Sequence, residues 1–123
     1  MVLAFYLKKR AKQVVTMVKT VTEACHHIRT TRYGLIITDM GLPDGEGLTL
    51  IKMARHHSDS QNMQTPIIAV TANAEDFREP CLAAGADGVY AKPVSAEQVT
   101  TWLAQYVTGG HGFLITLILH QNN

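Results

Sequence analysis

The chain has 123 residues, enough for one domain with a sizeable core. Hydrophobic residues make up 46 % of it, charged residues 17 %, and the net charge is +1. That balance excludes a disordered chain and carries no basic bias toward nucleic acid. The longest apolar run, FLITLIL at 113–119, is too short to cross a bilayer, so no membrane insertion is expected. Cys25 and Cys81 share no metal-like spacing and are expected as buried thiols of a reducing compartment. No signal peptide is legible after Met1, and the expected location is the cytoplasm, alone or as a piece of a larger membrane-tethered chain.

Residues 2–12 place Val2 with Tyr6 and Leu3 with Leu7 on helical spacing and end in Lys8, Lys9, Arg10 and Lys12. This predicts a helix with cations at its carboxyl end; the KKRAK run is read as solvated. VVTMV at 14–18 is β-branched and short, a strand. Thr20 and Glu23 form a capping-box pattern ahead of a helix that buries Ala24 and Ile28. YGLIIT forms the next strand, ending at Asp39, with a loop after it from Pro43 to Gly47. Leu48, Ile51 and Met53 predict a helix to about His57, SDSQNMQT reads as a polar connection, and PIIAVT at 66–71 as a strand. Phe77 and Cys81 share one face of a helix over 74–84, closed by Gly85. GVYAK is a further strand, and Ser95 with Gln98 caps a last helix bearing Val99, Trp102, Leu103 and Tyr106.

Helices alternate with short, continuously apolar strands, the pattern of a parallel sheet covered on both faces. In such sheets binding groups gather beyond the carboxyl ends of the strands. The polar residues ending these strands are Asp39, Thr71 and Lys92, so all three are expected in one crevice. Taken singly, each has a plainer reading: a turn-forming aspartate, a capping threonine, a solvated lysine. Asp44 and Glu46 read as loop solvation, and the pairs His26–His27 and His56–His57 as surface histidines near helix ends.

LIITD, then proline four and glycine eight residues after the aspartate, then PIIAVTAN and AGADGVYAKP in that order, carry a resemblance. Over about residues 1–106 the chain resembles a response-regulator receiver domain, closest to those of hybrid sensor histidine kinases. The resemblance implies a flavodoxin-like (CheY-like) doubly wound parallel sheet of five strands in three layers. It implies that Asp39 accepts a phosphoryl group from a phosphohistidine, that Thr71 and Lys92 bind the phosphoryl oxygens, and that the Gly41 carbonyl helps Asp39 hold Mg²⁺. Pro43, Gly47 and Pro93 would be structural. The chemistry agrees: a carboxylate attacks phosphorus when nearby cations neutralise charge on the transferred oxygens. Lys92 is such a cation, and the Lys92–Pro93 bond is a candidate cis peptide aiming it into the crevice.

A receiver normally opens with a central strand ending in two adjacent acids, and MVLAFYLKKRAKQ matches a first helix instead. The gap would lie between the strands at 14–18 and 35–38, leaving unpaired backbone in the middle of the sheet. After the flexible TGGHG, residues 113–119 read as a buried strand able to fill that gap, in effect a circular permutation; insertion into a second copy would give a swapped dimer. The expected organisation is a receiver-like domain at 1–106, a linker at 107–112 and a completing strand at 113–119. That strand runs into HQNN, so the acids are not restored and Mg²⁺ binding is expected to be weak. Val89 stands three before the lysine, where many receivers place a switch aromatic, and Tyr90 falls on the opposite strand face. Pro80 lies inside a predicted helix at a cost of about 3 kcal/mol, so that helix is expected to be short or irregular.

The function expected from these readings is a phosphoacceptor receiver of a two-component phosphorelay. Its partner would be a histidine kinase or histidine phosphotransfer domain, and it would contact no nucleic acid directly. It would be a switch rather than an enzyme with its own substrate, with at most self-catalysed transfer at Asp39. The alternative is a degenerate receiver serving as a non-phosphorylated interaction module. A small flavodoxin-like enzyme is disfavoured because no strand is followed by a glycine-rich phosphate loop.

Overall fold

The computed structural model describes residues 14–40, 47–106 and 115–119. The helix expected over 2–12, the loop bearing Gly41, Pro43, Asp44 and Glu46, the linker at 107–112 and the HQNN tail lie outside the described residues. Within them the elements alternate as β1 (Val14–Val18), α1 (Val21–Thr30), β2 (Leu35–Asp39), α2 (Gly47–His56) and β3 (Ile67–Thr71), then α3 (Ala74–Ala84), β4 (Gly88–Ala91), α4 (Ala96–Tyr106) and β5 (Ile115–Leu119).

The five strands form one sheet in the order β1-β5-β2-β3-β4, every pair parallel. The carboxyl-terminal strand fills the central gap: Leu117 is registered beside Thr16 on one side and Ile36 on the other. Among the described residues β1 pairs with no strand but β5, so β5 joins it to the rest of the sheet. A parallel sheet needs both neighbours of an inner strand because unpaired backbone groups there have no water to turn to.

Side-chain alternation divides the core. Ile36, Ile67, Ala69 and Val89 point into one cluster with Ala24 and Ile28 of α1, Leu50, Ile51 and Ala54 of α2, and Cys81 and Ala84 of α3. Leu35, Ile37, Ile68 and Val70 point the other way, against Val99 and Trp102 of α4. These are three layers, helix over sheet over helix. Each fully buried aliphatic side chain contributes roughly 1.5–3 kcal/mol through the area it removes from water.

Local signals set the helix ends. Thr20 Oγ1 accepts the Glu23 amide at 3.1 Å, and Ser95 Oγ accepts the Gln98 amide at 3.1 Å while Gln98 Oε1 accepts the Ser95 amide at 3.0 Å. Gly85 ends α3 at φ 120°, a conformation that only glycine adopts without strain.

The structure departs from the sequence expectations in several places. α3 runs through Pro80 without interruption. Proline removes one donor, on the exposed side of the helix, while Cys81 and Ala84 anchor the next turn in the core. α2 forms where expected, turning Leu50, Ile51 and Ala54 inward with Leu48 and Met53 packed partly buried beside them. Cys25 is half-buried rather than buried, whereas Cys81 is enclosed.

The connection after α2 is polar but not merely solvated. Asn62 is fully buried, its Oδ1 accepting from the Tyr33 amide at 2.8 Å and from Thr65 Oγ1 at 2.9 Å. Its Nδ2 donates to Ile28 O at 2.9 Å and Thr31 O at 2.8 Å. Nearby, Arg55 donates from Nε to Gly85 O at 2.8 Å, from one terminal nitrogen to Thr65 O at 2.6 Å, and from the other to Asp87 Oδ2 at 2.7 Å. Asp87 Oδ2 in turn accepts the Ile67 amide at 2.8 Å. These two polar hubs fasten the amino-terminal ends of β2, β3 and β4.

Candidate functional site at the carboxyl ends of the strands

β2 is buried along its whole length, and Asp39 is its last residue, only 4 % exposed. A carboxylate this enclosed is costly unless it is paired. Its counter-charge comes from 53 residues away: Lys92 Nζ lies 2.5 Å from Asp39 Oδ2. The lysine side chain remains 38 % exposed, so the ion pair opens to solvent on the lysine side.

Backbone register explains how these groups meet. Asp39 is registered beside Val70, and Thr71 beside Ala91, so the strand ends step across the sheet edge. The Lys92 amide then donates to Thr71 O at 2.9 Å, holding the lysine backbone against the end of β3. The Lys92–Pro93 peptide is cis, matching the expectation from sequence. The Met40 amide donates to Val70 O at 3.1 Å and carries the β2–β3 ladder one residue past Asp39.

Thr71 is buried, and its Oγ1 accepts the Asn73 amide at 3.1 Å. Its own hydroxyl proton is left to donate elsewhere. Asn73 also donates from Nδ2 to Asp76 Oδ2 at 2.6 Å, so the turn from β3 into α3 is tied at two points.

Gly47 opens α2 against the end of β2. A Cβ there would stand 2.6 Å from Met40 Sδ and 2.7 Å from Asp39 O, so a side chain would push the helix off β2. Thr38 Oγ1 donates to Asp39 O at 3.2 Å from the same neighbourhood. Neither Thr38 nor Met40 stood out in the sequence; their roles arise from a close approach that chain order does not reveal. Pro93 follows the lysine in the cis bond, while Gly41 and Pro43 fall outside the described residues.

Val89 is buried in the α1–α3 cluster, and Tyr90 lies on the opposite face with its ring 4.9 Å from that of Trp102. The position three before the lysine thus holds a small packed side chain, and the neighbouring aromatic belongs to the α4 layer. Two of the described histidines serve local contacts: His27 Nδ1 meets the Tyr33 hydroxyl at 3.2 Å, and His57 Nδ1 accepts the Asp59 amide at 3.0 Å. Among the described residues no group of three or more His, Cys, Asp or Glu is arranged to hold a metal ion. The carboxylate, ammonium and hydroxyl at the sheet edge can present a nucleophile and a fixed positive charge to a tetrahedral oxyanion.

A profile of the family described as response regulator receiver domain matches residues 1–104. The two-component response regulator PhoP of Pseudomonas aeruginosa is 35 % identical over 107 residues, which cover 85 % of this chain and 45 % of that protein. The sensor histidine kinase AruS of the same species is 37 % identical over 81 residues, 65 % of this chain and 8 % of the kinase. The chain therefore spans less than half the length of either relative. The receiver domain of sensor histidine kinase PA1611 from Pseudomonas aeruginosa, solved with a magnesium ion coordinated in its active site cleft, superposes with a TM-score of 0.74. It is 29 % identical, and the match covers 86 % of each chain.

Proposed function

Because the chain belongs to the response regulator receiver domain family, we propose that it is the phosphoacceptor receiver of a two-component phosphorelay. Asp39 takes the phosphoryl group from a phosphohistidine on a histidine kinase or histidine phosphotransfer domain. Lys92 moves from the carboxylate to the phosphoryl oxygens, and Thr71 donates its hydroxyl proton to one of them. The observation that carries this reading is the 2.5 Å contact between Lys92 Nζ and Asp39 Oδ2 at the carboxyl edge of the sheet. Residues separated by nearly half the chain meet there with the charges an in-line transfer requires. The new contacts of the phosphorylated state give it a different preferred conformation, which is what makes the domain a switch rather than an enzyme with its own substrate.

In this reading residues 1–106 form the receiver body, 107–112 a linker and 113–119 the completing strand. The same strand pairings made between two copies would give a swapped dimer, which size measurement distinguishes from a monomer. Phosphorelay receivers work on the cytoplasmic side, free or within a membrane-bound sensor kinase, and direct contact with nucleic acid is not expected. Among the described residues no helix is long and apolar enough to cross a membrane.

A second reading, a receiver fold kept as a non-phosphorylated interaction module, is favoured by the lack of a carboxylate cluster among the described residues. Incubation with a phosphorylated histidine phosphotransfer domain separates the two. A mass gain of one phosphoryl group, lost in Asp39→Asn, supports the acceptor; an unchanged mass supports the module.

A further inference from the structure

Met40 joins three parts of the fold. Its amide donates to Val70 O at 3.1 Å, one step past the last residue of β2. Its side chain lies in the cluster with Leu50 and Ile51 of α2 and is 6 % exposed. The thioether meets the first residue of α2, where a Cβ on Gly47 would stand 2.6 Å from Sδ. From α3, Cys81 Sγ donates to the same sulfur at 3.8 Å. One sulfur atom thus sits where β2, the start of α2 and α3 touch. Of the two sulfurs, the thioether is the one open to oxidation. A thiol reacts with oxidants as its thiolate, and burial pushes the Cys81 thiol above its usual value. A thioether has no proton to lose before it reacts.

We infer that Met40 is a modification site, at which oxidation of the thioether to the sulfoxide by a peroxide loosens α2 from β2. In the step, an Sδ lone pair forms a bond to one peroxide oxygen while the O–O bond breaks. Sulfur is oxidised by two electrons and the peroxide is reduced. With hydrogen peroxide the second oxygen leaves as hydroxide, takes the proton of the first and departs as water. The product is bulkier at sulfur and polar where the thioether was apolar. The Gly47 backbone and Cys81 already lie against Sδ, so the added oxygen displaces one of them. Among the described residues the donor in contact with Sδ is the Cys81 thiol, a weak one, and a buried dipole without a strong donor is costly. Movement of α2 away from β2 relieves both conflicts. Methionine sulfoxide reductases reverse the change, which makes it a switch rather than only a lesion. The site is independent of the acceptor reading, because it alters the docking of α2 whether or not Asp39 takes up a phosphoryl group.

The full chain is treated with hydrogen peroxide, sulfoxide at each methionine is followed by peptide mass, and thermal unfolding is read by circular dichroism. Met17 and Met63, 42 % and 40 % exposed, are expected to oxidise first and to leave Tm unchanged. As Met40 sulfoxide accumulates, Tm should fall by at least about 5 °C. Met40→Leu, a swap that keeps side-chain volume, should fold and should abolish the fall. Met53→Leu, at a half-buried position on the same cluster, should leave it in place. Treatment with a methionine sulfoxide reductase should restore Tm. A Tm unaffected by full oxidation at Met40, or a fall that persists in Met40→Leu, overturns the inference. So does a Met40 that stays reduced after Met53 is fully oxidised. None of these outcomes bears on phosphoryl transfer to Asp39, which the mass gain described above tests separately.

Discussion

Asn62→Ala removes all four side-chain hydrogen bonds of the buried hub while deleting little volume. The Tyr33 amide, bonded to Oδ1 at 2.8 Å, loses its acceptor in the interior. Ile28 O and Thr31 O lose donors at 2.9 and 2.8 Å, although Ile28 O keeps the Gln61 amide at 3.0 Å. Thr65 Oγ1 keeps its bond to Tyr33 O at 3.0 Å, so its hydroxyl is not stranded. Lost bonds at about 1 kcal/mol each, with one buried donor left unpaired, give a cost of about 3–5 kcal/mol. Against a total of roughly 5–15 kcal/mol for a domain, that is a large fraction. Urea unfolding followed by far-ultraviolet circular dichroism should show the midpoint falling by about 2 M with an unchanged slope. Asn62→Asp should also destabilise at neutral pH, since an oxygen would face the two carbonyls now served by Nδ2. A loss below about 1 kcal/mol in Asn62→Ala would show that water replaces the side chain and that the hub does not hold the strand ends together.

Gly85→Ala should cost about 1–3 kcal/mol, because φ is 120° and the added Cβ would stand 2.5 Å from Arg55 Cγ. Thermal unfolding checks this. Leu117→Pro removes a backbone donor from the central strand, which pairs on both sides, and should abolish cooperative unfolding where Leu117→Val does not. Burial pushes the Cys81 thiol above its usual 9.0. Burial, then the charges of Tyr90 and Asp87, raises the Tyr106 phenol above its usual 10.0. The unfolded chain gives up these protons first, so stability is intact below about pH 9 and falls as pH rises beyond it. Urea midpoints at neutral and alkaline pH measure the fall, which Tyr106→Phe should lessen.

The alternation of helix and strand, the amino-terminal caps at Thr20 and Ser95 and the continuous apolar strands were legible in the chain because each arises from local propensity and period. Asp39, Thr71 and Lys92 were legible as candidates because a parallel sheet leaves strand-terminal polar residues at one edge. The central place of β5 (Ile115–Leu119) was legible too, though by an unusual route: the sheet lacked an inner strand, and one unassigned apolar run was left to supply it.

Other features depend on contacts between residues distant in sequence. Nothing in SDSQNMQT marks Asn62 as buried, since an asparagine between polar neighbours looks the same in a solvated loop. It is enclosed because α1, β2 and β3 converge there with unpaired backbone groups. Arg55 sits at a helix end like any solvated cation until Gly85 and Asp87 arrive from thirty or so positions away. The uninterrupted course of α3 through Pro80 likewise depends on Cys81 and Ala84 finding the core. Even the ion pair at the sheet edge is a matter of register. The chain names a carboxylate and an amine, and only the packing of β2, β3 and β4 puts them in contact, because electrostatic pairing falls off within a few ångströms while sequence carries no distance.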